Sequence, residues 1–267
     1  MIDYLLIPDY IGDLVVALKG YFSKEPSLLE MKIDKVVIVG DTHGAINISD
    51  LAFSKLQEGY SVIMLGDLID RGPESLKNLV FSMEMKILTN RVFIIRGNHE
   101  SSLTPPYYGF LDELKEIGID YLYDEFLEMF ASIPYGILLN DVILCVHGGI
   151  ASGGLTLEDI KKLPKGDTVP ENKTAFEILW NDPREFIEGF LPSTRSDGAY
   201  FFGRNVFEQF MKSNRLSYLI RGHEVKMTGI ADIFSGKLIT VFSSEYHGGK
   251  KGILMIDQGK LIRIIQD

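Results

Sequence analysis

Five short apolar runs, each about strand length, recur along this chain, and every one ends at a glycine or at a polar residue able to bind a cation. Val36-Val37-Ile38-Val39 leads through Gly40 to Asp41, Val62-Ile63-Met64-Leu65 through Gly66 to Asp67, and Val92-Phe93-Ile94-Ile95 through Arg96 and Gly97 to Asn98. Val142 to Val146 runs straight into His147, and Tyr218-Leu219-Ile220 passes through Arg221 and Gly222 to His223. Continuous rather than alternating apolar runs are expected of strands covered on both faces, as in sheets flanked by helices. Helical spacing fills the gaps between the first three. Ser49 is placed to cap a segment carrying Leu51, Ala52, Lys55 and Leu56, and Pro73 to open one carrying Leu76, Leu79, Val80 and Met83. The result is a β-α-β-α-β unit, a right-handed parallel arrangement whose loops gather along one sheet edge, where open α/β sheets bind ligands.

The residues at those strand ends carry chemistry. Asp41 and His43, two apart in GDTHG, can grip one cation from one side of an extended turn, and an oxygen plus an imidazole nitrogen suits Mn, Fe or Zn. Asp67 sits at the neighbouring strand end, where its two oxygens could bridge a pair of ions about 3.5–4 Å apart. Asn98, His147 and His223 would complete the second ion's shell. Arg71 and Arg195 offer permanently charged donor forks that match a phosphate. His99 directly follows Asn98, beside the metals without binding them, where it can protonate a departing alkoxide, and Asp70 can fix its tautomer. The chain has 5 histidines, and four of them stand just past apolar runs; core or surface histidines have no reason to collect there. Arg96 and Arg221 are read as loop stiffeners that bond backbone, and Trp180 as buried packing.

Composition narrows the partners. Lys+Arg 27 against Asp+Glu 37 leaves a net charge of −10, a field that repels nucleic acid and anionic lipid. Met1 to Gly12 has no Lys or Arg, and Pro8 and Asp9 interrupt its apolar stretch, so it reads neither as a signal peptide nor as a membrane span, and the expected location is cytoplasmic. The lone cysteine, Cys145, lies in an apolar run and reads as a buried, inert thiol. Residues 1–267 are expected to form one domain, with 1–35 an amphipathic extension whose Ile11, Leu14, Val15 and Leu18 pack on it. Two packed helices are expected over Gly109 to Phe130, a Thr156-capped helix to Lys162, a surface loop over Pro164 to Pro170, and a second, largely antiparallel layer over 230–267.

In their order along the chain, GDTHG, GDLIDRG, RGNHE, HGG, LWNDP and RGHE resemble the PPP family of serine/threonine phosphoprotein phosphatases, within the calcineurin-like metallophosphoesterases; the match covers roughly Val36 to Gly249. The resemblance implies an α/β metallophosphoesterase fold, a central β-sandwich of two mixed sheets flanked by helices, with two divalent metal ions at the strand ends, manganese first and iron or zinc as alternatives. By position, Asp41, His43 and Asp67 would hold one ion, and Asp67, Asn98, His147 and His223 the other. His99 with Asp70 matches the acid dyad, Arg71, Arg195 and Asn98 the phosphate contacts, and Tyr246 the tyrosine on the loop bordering the site. The implied partners are phosphoprotein substrates, with no regulatory subunit implied, and the short chain is similar to compact microbial members. Two departures stand out: the spacing around Arg195, and SSEYHGG in the bordering loop, which puts His247 near the rim as a shaper of substrate access. A diadenosine polyphosphate hydrolase is the nearest alternative, and Asp70 and LWNDP favour the phosphoprotein branch. A repair nuclease should be basic, and a non-enzymatic scaffold should have lost a ligand position.

Overall fold

The computed structural model describes residues 6–266. In chain order its elements are α1 (Pro8–Lys24), β1 (Leu28–Met31), β2 (Lys35–Val39), α2 (Ile46–Ser54), β3 (Ser61–Met64), α3 (Ser75–Thr89), β4 (Val92–Ile94), α4 (Pro105–Tyr108), α5 (Phe110–Glu116), α6 (Tyr123–Ser132), β5 (Gly136–Leu139), β6 (Ile143–Val146), α7 (Leu157–Lys161), α8 (Lys173–Trp180), β7 (Asp182–Pro183), β8 (Phe190–Pro192), β9 (Tyr200–Phe202), α9 (Arg204–Ser213), β10 (Tyr218–Arg221), β11 (Ile230–Ile233), β12 (Leu238–Val241), β13 (Lys251–Asp257) and β14 (Lys260–Gln266). They build a six-stranded sheet, β1-β5-β6-β10-β12-β11, and a five-stranded sheet, β14-β13-β2-β3-β4, with a small third sheet, β7-β9-β8. Both large sheets are mixed. β2, β3 and β4 run parallel while β13 is antiparallel to β2, and β10 runs parallel to β6 and β12 while β5 is antiparallel to β6.

Side-chain alternation explains the continuous apolar runs. Along β2, Val37 and Val39 face the helical layer that includes α1, α3 and α6, whereas Val36 and Ile38 face the other sheet. Ile63, Leu254, Ile137, Cys145, Ile220 and Ile239 share that inter-sheet core. On the far side of the six-stranded sheet, Leu144, Leu219 and Leu238 pack with α8 and α9 through Ile178, Phe207 and Phe210. Inner strands such as β3, β6 and β12 are thus buried on both faces, and the expected β-α-β-α-β unit is β2-α2-β3-α3-β4.

Several expectations are corrected. Ser49 does not cap: α2 begins at Ile46, just past Gly44, and the buried Ser49 hydroxyl donates to Asn78 Oδ1 at 2.6 Å. Pro73 lies in the turn ahead of α3, whose Leu76 N–H instead donates to the Glu113 carboxylate at 3.1 Å. The 230–267 strands do not form a separate layer. β11 and β12 join the six-stranded sheet and β13 and β14 the five-stranded one. Residues 1–35 do more than coat the domain: the described part supplies the edge strand β1, parallel to β5, besides an α1 that buries Ile11, Leu14, Val15, Leu18 and Phe22. Residues 1–5 of the opening segment lie outside the described residues. The Thr156 cap is present as a full capping box with Asp159. No helix among the described residues is long and apolar enough to cross a membrane.

Candidate active site

The loops after β2, β3, β4, β10 and β12 meet over one cavity of ≈ 250 Å³, lined by residues that include Asp41, His43, Asp67, Arg71, Asn98, His99, Arg195 and His223. Backbone strain is concentrated there. His43, Asp67, Asp70, Arg71 and His223 adopt left-handed φ values of 46°, 53°, 68°, 68° and 67°, a region that L side chains occupy only when their surroundings enforce it. Two glycines permit the approach: a β-carbon on Gly97 would overlap Asp67 Oδ1, and one on Gly222 would overlap Asp41 Oδ1.

Hydrogen bonds hold the strained loops. Thr42 and His43 N–H groups donate to the Asp67 carbonyl at 3.1 and 2.9 Å, and the Asn78 amide donates to Thr42 Oγ1 and the Leu68 carbonyl at 2.9 and 2.8 Å. The buried Glu100 carboxylate accepts N–H bonds from Gly97, Asp67 and Leu68, each at 2.8 Å, and so ties two strand ends together. Glu100 carries little signal in the sequence beyond being an acid directly after His99.

Donor atoms converge on Asp67. His43 Nε2 lies 3.8 Å from its Oδ2 and 4.0 Å from Asp41 Oδ2, while His147 Nε2 lies 3.4 Å from its Oδ1. Asn98 Oδ1 is 2.9 Å from His147 Nε2 and 2.8 Å from His223 Nδ1. Two compact groups result, His43-Asp67-His99 and Asp67-His147-His223, with Asp67 common to both. The surroundings fit metal ligation: His43 Nδ1 bonds the Ile69 carbonyl and His147 Nδ1 the Leu65 carbonyl, each at 2.8 Å, which leaves both Nε2 lone pairs facing inward. Asp41 Oδ1 accepts the His223 N–H at 2.7 Å and Asp67 Oδ1 the His99 N–H at 2.9 Å.

The electrostatics of His43 and His223 agree with a donor set, whereas at His147 burial pulls downward but the charge and hydrogen bond of Asp67 outweigh it and push the imidazole up to about 9. Burial, with His99 close by, pushes His43 down to about 3, and burial with Arg195 holds His223 well below the usual imidazole range, so both are neutral lone-pair donors. Burial and the Asp67 charge raise Asp41 to about 6. For His99, burial pulls downward, but the Asp67 charge and the Asp70 hydrogen bond outweigh it and the net shift is up.

His99 Nδ1 lies 2.6 Å from Asp70 Oδ2, whose partner Oδ1 accepts the Phe110 N–H at 3.1 Å; His99 Nε2 therefore points to the cavity, 3.9 Å from Asp67 Oδ2. The Arg71 guanidinium stands 4.6 Å over the Tyr108 ring and faces no carboxylate among the described residues. Arg195, brought in by the β8–β9 hairpin, lies 3.3 Å from His223 Nε2, and its Nε is 2.9 Å from Asp182 Oδ2, an ion pair without hydrogen-bond alignment. Asp182 Oδ1 accepts from the buried Arg221 at 2.7 Å. Arg221 also bonds the Gly148 and Asn181 carbonyls, and Arg96 those of Glu100, Asp167 and Thr168, in the stiffening roles expected of both. Trp180 is a correction: it is half-buried rather than core, lines the cavity and meets the His223 ring edge-on at 5.7 Å. Tyr246 packs against the core between the five-stranded sheet and the helical layer, and against Gly72, instead of lining the cavity, whereas His247 lines it, 6.2 Å from the His43 ring.

This fold and donor set define a calcineurin-like phosphoesterase, and the family model of that description matches residues 34–227. Serine/threonine-protein phosphatase T of Saccharomyces cerevisiae is 33% identical over 92% of this chain and 49% of its own length. The serine/threonine-protein phosphatase 4 catalytic subunit of Eremothecium gossypii is 33% identical over 83% of this chain and 74% of its own. A solved protein serine/threonine phosphatase from Saccharomyces cerevisiae superposes with TM-score 0.90 at 31% identity, covering 98% of this chain and 90% of that one. The chain belongs to the PPP family of serine/threonine-protein phosphatases. It spans about half the length of the yeast phosphatase T it matches.

Proposed function

We propose that this chain hydrolyses phosphoserine and phosphothreonine monoesters of cytoplasmic proteins with the help of two divalent metal ions, manganese foremost. Asp41, His43 and Asp67 would hold one ion, and Asp67, Asn98, His147 and His223 the other. The observation that carries this reading is the sharing of Asp67 between two buried donor groups, with Arg71 beside the first and Arg195 beside the second. Bound there, the ions supply Lewis acidity toward phosphoryl oxygens and an activated water at neutral pH.

The chain's own residues do the rest. Arg71 and Arg195 reach the phosphate oxygens from two sides with charge-assisted hydrogen bonds. Asn98, its Oδ1 turned to His147 and His223, leaves its amide nitrogen for a third phosphate contact. His99, its Nδ1 engaged by Asp70, presents Nε2 to the leaving oxygen and gives it a proton as the P–O bond breaks. Tyr246 supports the rim from behind by its packing on Gly72, next to Arg71. Metal-stripped protein supplied with Mn should prefer a phosphoserine peptide over a phosphodiester and over diadenosine tetraphosphate; a preference for the diester, or for the dinucleotide, would overturn the assignment.

A further inference from the structure

Many surface cations of this chain are neutralised in place: Lys19, Lys32, Lys55, Lys115 and Arg263 each face a carboxylate. Lys212 at the end of α9, Arg215 in the turn after it and Lys237 at the tip of the β11–β12 hairpin are exposed. Their side chains make no ion pair or hydrogen bond among the described residues. All three border one groove of ≈ 600 Å³ whose floor is Phe207, Met211 and Leu216. Helical spacing puts Phe207, Glu208, Met211 and Lys212 on one face of α9, and Arg215, at φ 56°, turns the chain back beneath it. Glu208, the one carboxylate on the wall, is held 3.6 Å from Arg204.

The groove is separate from the active-site cavity. Leu216 and Lys237 precede β10 and β12, and the opposite ends of those parallel strands deliver His223 and Phe242 to the cavity. Five residue steps from Lys237 to Phe242 at about 3.3 Å each place roughly 16 Å between the two. In a chain of net charge −10, the summed field repels an acidic partner, so unpaired cations gathered around an apolar floor form a local exception that selects one.

We infer that this groove docks an acidic segment of a partner protein, its carboxylates on Lys212, Arg215 and Lys237 and one aliphatic side chain over the Phe207-Met211-Leu216 floor. The probe is a fluorescein-labelled peptide of Glu and Asp around a central Leu, titrated with the full chain at low salt and read by anisotropy. Binding should saturate, weaken about tenfold or more in K212E/R215E/K237E, as three exposed pairs allow, and fade as salt screens it. Replacing the peptide's Leu by Ser should weaken it several-fold. The control K19E/K55E/K115E changes net charge equally and should leave affinity within about twofold, with thermal melts confirming that both variants fold; if the reversal at the groove lowers the melt, K212A/R215A/K237A takes its place. Absence of saturable binding, equal weakening by the control, or indifference to the Leu would each overturn the inference. The assay uses neither phosphate nor turnover, so its outcome is independent of the phosphatase reading.

Discussion

Asp182 is the hinge between a buried scaffold and the proposed phosphate clamp, and replacing it with asparagine separates the two. Arg221 loses a charged partner but keeps Glu224 Oε2 at 3.2 Å and two backbone carbonyls, and the asparagine retains one acceptor oxygen. The loss is therefore below the ~3–5 kcal/mol of a fully orphaned buried charge and near the ~1.5–3 kcal/mol of one charge-assisted hydrogen bond. Arg195, about one-third exposed, loses the carboxylate that restrains it. Re-ordering a free arginine on substrate binding costs up to about 2 kcal/mol of side-chain entropy. Taking half for its partial exposure lowers kcat/KM about fivefold. Arg195→Ala removes the guanidinium outright and should lower kcat/KM by about 10- to 100-fold. Steady-state kinetics on a phosphoserine peptide, with urea midpoints for stability, read both effects. Because Asp182 acts on catalysis through Arg195, the double variant should be no slower than Arg195→Ala alone. Multiplicative losses in the double variant would refute the positioning role.

Two further outcomes are expected. His99→Asn should lower turnover by about 10²- to 10⁴-fold while metal content stays intact, since it removes a proton donor; metal lost in proportion would make His99 a ligand, a role its membership in the His43-Asp67-His99 group puts within geometric reach. Burial raises Glu113, which receives the Leu76 N–H at the start of α3, to about 7. A carboxyl raised in the folded state contributes stability below its unfolded value, and that contribution is lost as pH climbs through the folded value. Glu113→Gln should therefore stabilise the protein at pH 8 relative to pH 5, by about 1–2 kcal/mol after allowance for solvent screening; thermal melts that show the same difference at both pH values would contradict this.

The parts legible in the sequence were those set by local chemistry. Val36 to Val39 reads as a doubly covered strand because both of its faces meet a core, and Gly40-Asp41 and Gly66-Asp67 mark strand ends because the backbones of Val241 and Gly97 press on those glycines where a β-carbon would sit. What escaped depends on partners far away in sequence. Leu238 to Val241 carries no signal that its neighbour is β10 rather than β13, since burial on both faces erases the period that would assign a sheet. Ser49 resembles a cap until Asn78, 29 positions on, takes its hydroxyl. Glu100 gains its role from amides more than 30 residues upstream, and Trp180 from the edge of the His223 ring, contacts that spacing alone does not encode.

The central claim is that Asp67 joins two cation sites. Elemental analysis of metal-stripped protein reconstituted with Mn and freed of excess tests it without reference to any substrate: the account predicts two ions per chain in the native sequence and near-complete loss of both in Asp67→Asn. A single ion per chain in the native protein, or two retained in the variant, would contradict it.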